Sequence, residues 1–208
     1  MPDQSQVSMP IDINSVKGFL SPAEGNTLFE CAREMPRGSV ALEIGSYCGK
    51  STVYLGLGCK KAQSTLFAVD HHRGSEEHQA GELFHDPELV DETGAFSTLA
   101  NFRSTIRSAG LDDTVIPVLS SSAQFARVWQ GSLSLVFIDG GHSLDAALLD
   151  YRSWVGFIPG NGRLAIHDVY PDSETGGQAP ITIYRLALAS GLFREVAAVD
   201  SLRVLERL

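Results

Sequence analysis

Residues 40 to 52, Val-Ala-Leu-Glu-Ile-Gly-Ser-Tyr-Cys-Gly-Lys-Ser-Thr, narrow what this chain can fold into more than any other stretch. Val40 to Ile44 is a short apolar run closed by a turn former, the pattern of a strand buried on both faces of a parallel sheet. Gly45 and Gly49 bracket a tight turn, and Lys50 to Leu57 resumes at helical spacing. Strand, glycine turn and helix in that order is the unit with which open α/β sheets bind nucleotide-like ligands.

The turn itself excludes the commonest phosphate binders. A P-loop needs four residues between its glycines before the Lys-Ser pair, and Gly45 to Gly49 is one residue too short. The dinucleotide fingerprint G-x-G-x-x-G is absent as well. Glu43 is expected to face whatever fills the turn, and a carboxylate beside phosphates is repulsive. A neutral or cationic ligand follows, and S-adenosylmethionine, with its ammonium and sulfonium and no phosphate, fits.

Leu42 to Thr52 resembles motif I of the class I S-adenosylmethionine-dependent methyltransferases, in particular the catechol-type metal-dependent O-methyltransferases. That resemblance implies cofactor contacts from Glu43, Gly45, Ser46, Gly49 and Ser51. The alternative is a plain strand-turn-helix whose glycines serve geometry alone.

Length and composition are compatible with that class. The 208 residues, 43% apolar, can bury one substantial core, and a single domain over 1–208 is expected, with residues 1–20 as a lid or arm. The polar start lacks the basic and apolar regions of a signal peptide, and no apolar run reaches membrane-spanning length. A cytoplasmic protein without a membrane partner is the expectation. Cys31, Cys48 and Cys59 have no metal-ligand spacing, and no histidine neighbours Cys48 to make it a nucleophile. A net charge of −9 without a visible basic patch argues against nucleic acid as a partner. A homodimer is left open.

Along the chain, Ser21-Pro-Ala-Glu24 is a capping box with proline at the first helical position. Thr65 to Val69 reads as a strand ending in Asp70, an acidic residue placed to accept both ribose hydroxyls; it matches methyltransferase motif II. His71 to Asp86 follows, with four of the six histidines and almost no apolar side chains, so it cannot be core. It reads as a substrate loop, with His71, His72 and Arg73 as acceptor contacts; a solvated loop or a histidine metal site are the other readings. Residues 93 to 107 are expected to form a helix with Phe96, Leu99, Phe102 and Ile106 on one face, and Thr114 to Leu119 a third strand. By resemblance Ser121 and Ser122, at the start of a helix bearing Phe125, Val128 and Trp129, lie beside the adenine ring; capping that helix would also explain them.

Two further buried strands carry the chemistry. Leu133 to Ile138 ends in Asp139-Gly-Gly-His142, and Arg163 to Ile166 ends in His167-Asp168. Carboxylates leaving one edge of a parallel sheet suit Mg²⁺, which commonly takes one or two protein carboxylates and fills its octahedron with water and substrate oxygens. By resemblance Asp139 and Asp168 are the metal ligands, and Asp139 also lies at the cofactor. The catechol-type enzymes have an Asn directly after the second Asp as third ligand, where this chain has Val169; water, His167 or a loop carboxylate could replace it. His167 is otherwise assigned to the acceptor.

His142 follows Asp139 by three residues, where the catechol-type enzymes place a catalytic Lys and the sugar O-methyltransferases of macrolide pathways have His. An imidazole is a competent base near neutral pH, although a cap on the following helix is the competing role. The runs 193–199 and 202–208 suit a closing hairpin. The expected fold is therefore a Rossmann-like doubly wound α/β sheet of seven strands with the last antiparallel. The expected activity is Mg²⁺-dependent methylation of a hydroxyl on a small-molecule or oligosaccharide acceptor. The polar loop and only two tryptophans favour a sugar, such as a methylmannose polysaccharide precursor, over a catechol. A catechol-type enzyme and a non-catalytic S-adenosylmethionine-binding module are the alternatives.

Overall fold

The computed structural model of the chain describes residues 7–75, 86–141, 143–172, 174 and 176–208. The strands are β1 (Val40–Ile44), β2 (Thr65–Asp70), β3 (Val115–Leu119), β4 (Leu135–Ile138), β5 (Arg163–Ile166), β6 (Phe193–Val199) and β7 (Leu202–Arg207). They form one sheet in the order β3-β2-β1-β4-β5-β7-β6, with β7 antiparallel to both its neighbours. This is the Rossmann-like doubly wound sheet with its last strand antiparallel, and the order reverses beside β1, where such sheets bind ligands.

Apolar sequence explains which strands are central. In β1, β4 and β5 every residue except the first of β1 and β5 is fully buried, as a strand covered on both faces must be. At the edge, β3 carries Pro117, which cannot donate to a ladder and is tolerated where one side is unpaired. Helices cover the sheet from two sides. The helices α1 (Pro22–Arg33), α2 (Lys50–Ala62) and α3 (Leu99–Ser108) bury Leu28, Leu55 and Phe102 on one face. On the other face lie α4 (Ser122–Ala126), α5 (Leu144–Trp154) and α6 (Ala179–Ala189), with Ala147, Trp154 and Ile183 in that core.

The segment before α1 lies along this body. Val7, Met9, Ile11 and Ile13 touch the first core, and Val16 joins Cys48, Leu89 and Phe96 in a small cluster over the glycine turn. Lys50 Nζ donates to Gly18 O at 3.0 Å, and Lys17 pairs with Asp86 and Glu88. Burial pushes the Cys48 thiol up to about 12, which leaves it an inert core side chain at neutral pH.

Two elements differ from expectation. The helix expected over 93 to 107 begins only after Thr98, because the Asp91 carboxylate collects the N–H groups of Thr93 and Ala95 and Gly94 turns with φ +85°. That local bonding competes with the helix, and Phe96 instead bridges to Val90. The helix expected to reach Trp129 stops at Ala126, leaving Val128 exposed. No helix among the described residues is long and apolar enough to cross a membrane.

Candidate active site

The glycine turn is held open by what stands behind it. Gly45 has φ +85°, and a Cβ there would lie 2.0 Å from the carbonyl oxygen of Asp139, so glycine is required by both conformation and contact. Gly49, with φ +94°, is the N-cap of α2. Ser46 is 1% exposed, and its hydroxyl is buried without a hydrogen-bond partner among the described residues. An orphaned buried hydroxyl in a ligand-binding turn fits a bound molecule supplying the missing bond.

Glu43 does not front the turn as the sequence suggested. It is fully buried, and its carboxylate accepts from Ser51 Oγ at 2.5 Å and Thr52 Oγ1 at 2.6 Å. Burial pushes its pKa up to about 8, against the pull of those two hydroxyls and with help from Asp139 and Asp70. Glu43 and Ser51 therefore meet each other and fix the first turn of α2 under the glycines.

Asp70 closes the other side. Its carboxylate accepts the Tyr47 N–H at 2.9 Å and the His72 N–H at 2.7 Å, which ties the end of β2 to the glycine turn. Oxygen lone pairs remain for ribose hydroxyls. His72 was expected among the acceptor contacts, yet it is 3% exposed, bonds Thr98 Oγ1 through Nδ1 at 2.7 Å and lies 5.0 Å from the Phe102 ring. Its ring anchors the start of α3, and burial holds its pKa below the usual histidine value. His71 is half-buried, with Nδ1 accepting the Arg73 N–H at 3.1 Å, and Arg73 is exposed. The rest of that loop, residues 76–85, lies outside the described residues. Ser121 Oγ caps α4 by accepting from Gln124 N, and Ser122 Oγ accepts from the Trp154 indole at 2.7 Å.

Parallel pairing then brings three acidic and imidazole groups together. Ile44 pairs with Ile138 and Ile138 with Ile166, so the next residues, Gly45, Asp139 and His167, leave the sheet side by side. Asp168 follows with φ +55° and accepts from Tyr170 O–H at 3.1 Å. His167 Nδ1 stands 3.0 Å from Asp139 Oδ1 and 3.5 Å from Asp168 Oδ1, while Nε2 meets Glu24 Oε2 at 3.2 Å. Burial disfavours its charge, but Asp139, Glu24 and Asp168 outweigh this and raise its pKa to about 11. Both aspartate side chains keep 22% of their surface exposed, whereas His167 and Glu24 keep 3%.

Asp139, His167 and Asp168 each offer one donor atom within 4.8 Å of the others, a set of two hard oxygens and one nitrogen open to solvent on the carboxylate side. Such donors fit a divalent cation. Val169 offers none: it is 2% exposed, and its N–H donates to Ser201 O. His142 lies outside the described residues.

Glu24 is the site residue that sequence reading missed. The capping box is present as expected, with Ser21 and Glu24 bonding reciprocally. A capped helix start already explains a glutamate there, and nothing linear connects it to a residue 143 positions away.

A glycine turn at the β1 switch point, an acidic residue closing β2 and an aspartate leaving β4 define a class I S-adenosylmethionine-dependent methyltransferase. The family described as methyltransferase domain matches residues 42–169, and the chain belongs to it. Solved structures share the architecture at low identity. The O-methyltransferase TomG from Streptomyces achromogenes, involved in tomaymycin synthesis and in complex with SAM, is 12% identical with a TM-score of 0.62, over 91% of this chain and 81% of that one. The SAH-bound methyltransferase PaMTH1 of Podospora anserina is 14% identical with a TM-score of 0.62, over 91% and 80%. An rRNA methylase from Streptococcus thermophilus is 13% identical with a TM-score of 0.58, over 92% and 99%.

Proposed function

We propose that this methyltransferase acts on a hydroxyl of a sugar or oligosaccharide, with Mg²⁺ held by Asp139 and Asp168 and His142 as the base. The observation that carries the reading is the convergence of two partly exposed carboxylates beside the glycine turn, both turned to the same buried imidazole. Mg²⁺ there would supply Lewis acidity, lowering the pKa of an acceptor hydroxyl. Asp70 and the Ser46 hydroxyl would orient the methyl donor, and Asp139 would stand between donor and acceptor. His142, three residues beyond Asp139, would take the hydroxyl proton.

His71 and Arg73 at the end of β2 favour a polyhydroxylated acceptor, since they offer directional hydrogen bonds and little apolar surface. A catechol would be the acceptor of the alternative enzyme class. RNA is a second reading because rRNA methylases share the fold, but a net charge of −9 opposes a phosphate backbone. Calorimetry should show binding of S-adenosylhomocysteine and none of ATP or NAD. With isotopically labelled methyl donor, label should enter mono- or oligosaccharides from a panel that also holds catechols and rRNA; labelling of catechols or rRNA alone would refute the sugar assignment.

A further inference from the structure

Two carboxylates leave the third protein donor of the cation site unassigned, and the surroundings of His167 supply it. We propose that His167 Nδ1 is that donor and that Glu24, from α1, is the positioning residue that aims it; this rests on the metal reading above.

Spacing is the first argument. For an octahedral ion with bonds of roughly 2.1 Å, neighbouring donor atoms stand roughly 3 Å apart. The Nδ1 separations from Asp139 Oδ1 and Asp168 Oδ1 are 3.0 and 3.5 Å, close to the spacing of adjacent donors on such an ion, which on binding would displace the proton shared between Nδ1 and Asp139. The second argument is orientation. A metal-bound histidine nearly always donates its other ring N–H to a carboxylate or carbonyl, which fixes the tautomer and the ring plane. Nε2 meets Glu24 Oε2 at 3.2 Å, leaving Nδ1 as the atom that faces the two aspartates.

Glu24 is itself immobilised, as a positioning group must be. Its Oε1 accepts from Ser201 N at 2.9 Å and Ser201 Oγ at 2.7 Å, and Oε2 also accepts from Ser21 N at 2.9 Å. One carboxylate thus joins the start of α1, the β6–β7 turn and the end of β5. The side chain that caps a helix also sets the geometry of the reaction centre.

Mn²⁺ is the probe, added to the full chain without methyl donor or acceptor. Pulsed electron paramagnetic resonance of the wild-type complex should show ¹⁴N coupling from a ligating imidazole, retained in His142→Ala and lost in His167→Ala. Glu24→Gln should weaken Mn²⁺ binding about 10- to 100-fold, as loss of such a supporting partner does elsewhere. Ser21→Ala, which removes the helix cap and the hydroxyl's bond to Asp200 but keeps the Ser21 N–H bond to Glu24, should leave Mn²⁺ affinity within a few-fold of wild type and so separates fraying of α1 from misdirection of His167. Tight Mn²⁺ binding with no nitrogen coupling, or coupling that disappears in His142→Ala, overturns the assignment while leaving the aspartate pair as metal ligands. Failure of the wild-type chain to bind Mn²⁺ at millimolar concentration overturns the metal reading together with it. The wild-type spectrum keeps the proposal falsifiable if His167→Ala does not fold.

Discussion

Removing the His142 imidazole should slow turnover by about 10²- to 10⁴-fold while methyl-donor binding stays intact, since proton removal helps the transition state more than the ground state. A base must be neutral, so kcat should rise with pH through the histidine pKa and flatten above it. Steady-state kinetics of His142→Ala check this; retention of the rising limb and most of the rate would assign the proton to another route. Glu43 calls for a different test. Its pKa is raised to about 8 from 4.5, so its protonated form stabilises the fold at low pH and that contribution fades as pH climbs through about 8. Glu43→Gln, which mimics the protonated group, should raise the melting temperature relative to wild type at pH 9 and change it little at pH 5. At this scale the sequence showed Asp70, Asp139 and Asp168 as strand-end carboxylates. It could not show that Glu43 is buried under α2 or that His72 turns inward, because both orientations are set by hydroxyls, Ser51, Thr52 and Thr98, on other elements.

The packing of α1 on α2 depends on glycine. A Cβ at Gly58 would lie 2.5 Å from the Phe29 carbonyl oxygen and 2.6 Å from Ala32 Cβ. Backbone cannot yield as a side-chain tip can, so Gly58→Ala should push α1 away and cost about 1–3 kcal/mol, read by chemical denaturation. Because α1 carries Glu24, the same substitution should also lower metal affinity. Periodicity and capping made α1, α2 and the five parallel strands legible. The start of α3 was not, since Asp91 and Gly94 build a turn whose bonds are local and outcompete an apolar stripe that looks helical from Phe96 onward.

For the whole molecule, the buried charges set a pH window. Glu24 is held at about 2: burial opposes its charge, but bonds from His167, Ser21 and Ser201 prevail. Its contribution is complete above about 4.5 and lost as pH falls through 2. His167, raised to about 11, contributes fully below 6.5 and progressively less as pH rises towards 11. The metal-free protein should therefore melt highest between about pH 4.5 and 6.5, and a melting curve that peaks in alkali would contradict the Glu24–His167 pairing. The seven-stranded doubly wound sheet, its antiparallel closing strand and the cofactor edge were implied by the methyltransferase resemblance of the glycine turn and the strand-end acids, whereas the order of the strands came from the structure. The link from α1 to the reaction centre did not, because it is a contact between chain regions 143 residues apart that share no motif.

The central claim is that carboxylates leaving β4 and β5 hold a cation required for methyl transfer. It is tested most directly by following label from S-adenosylmethionine into a saccharide acceptor during a chelator titration, for wild type and Asp168→Ala. Transfer should stop in EDTA and return with Mg²⁺ in the wild type, and Asp168→Ala should remain inactive at the same Mg²⁺ concentration with its circular dichroism unchanged. Full transfer in excess chelator, or by Asp168→Ala, would contradict the account.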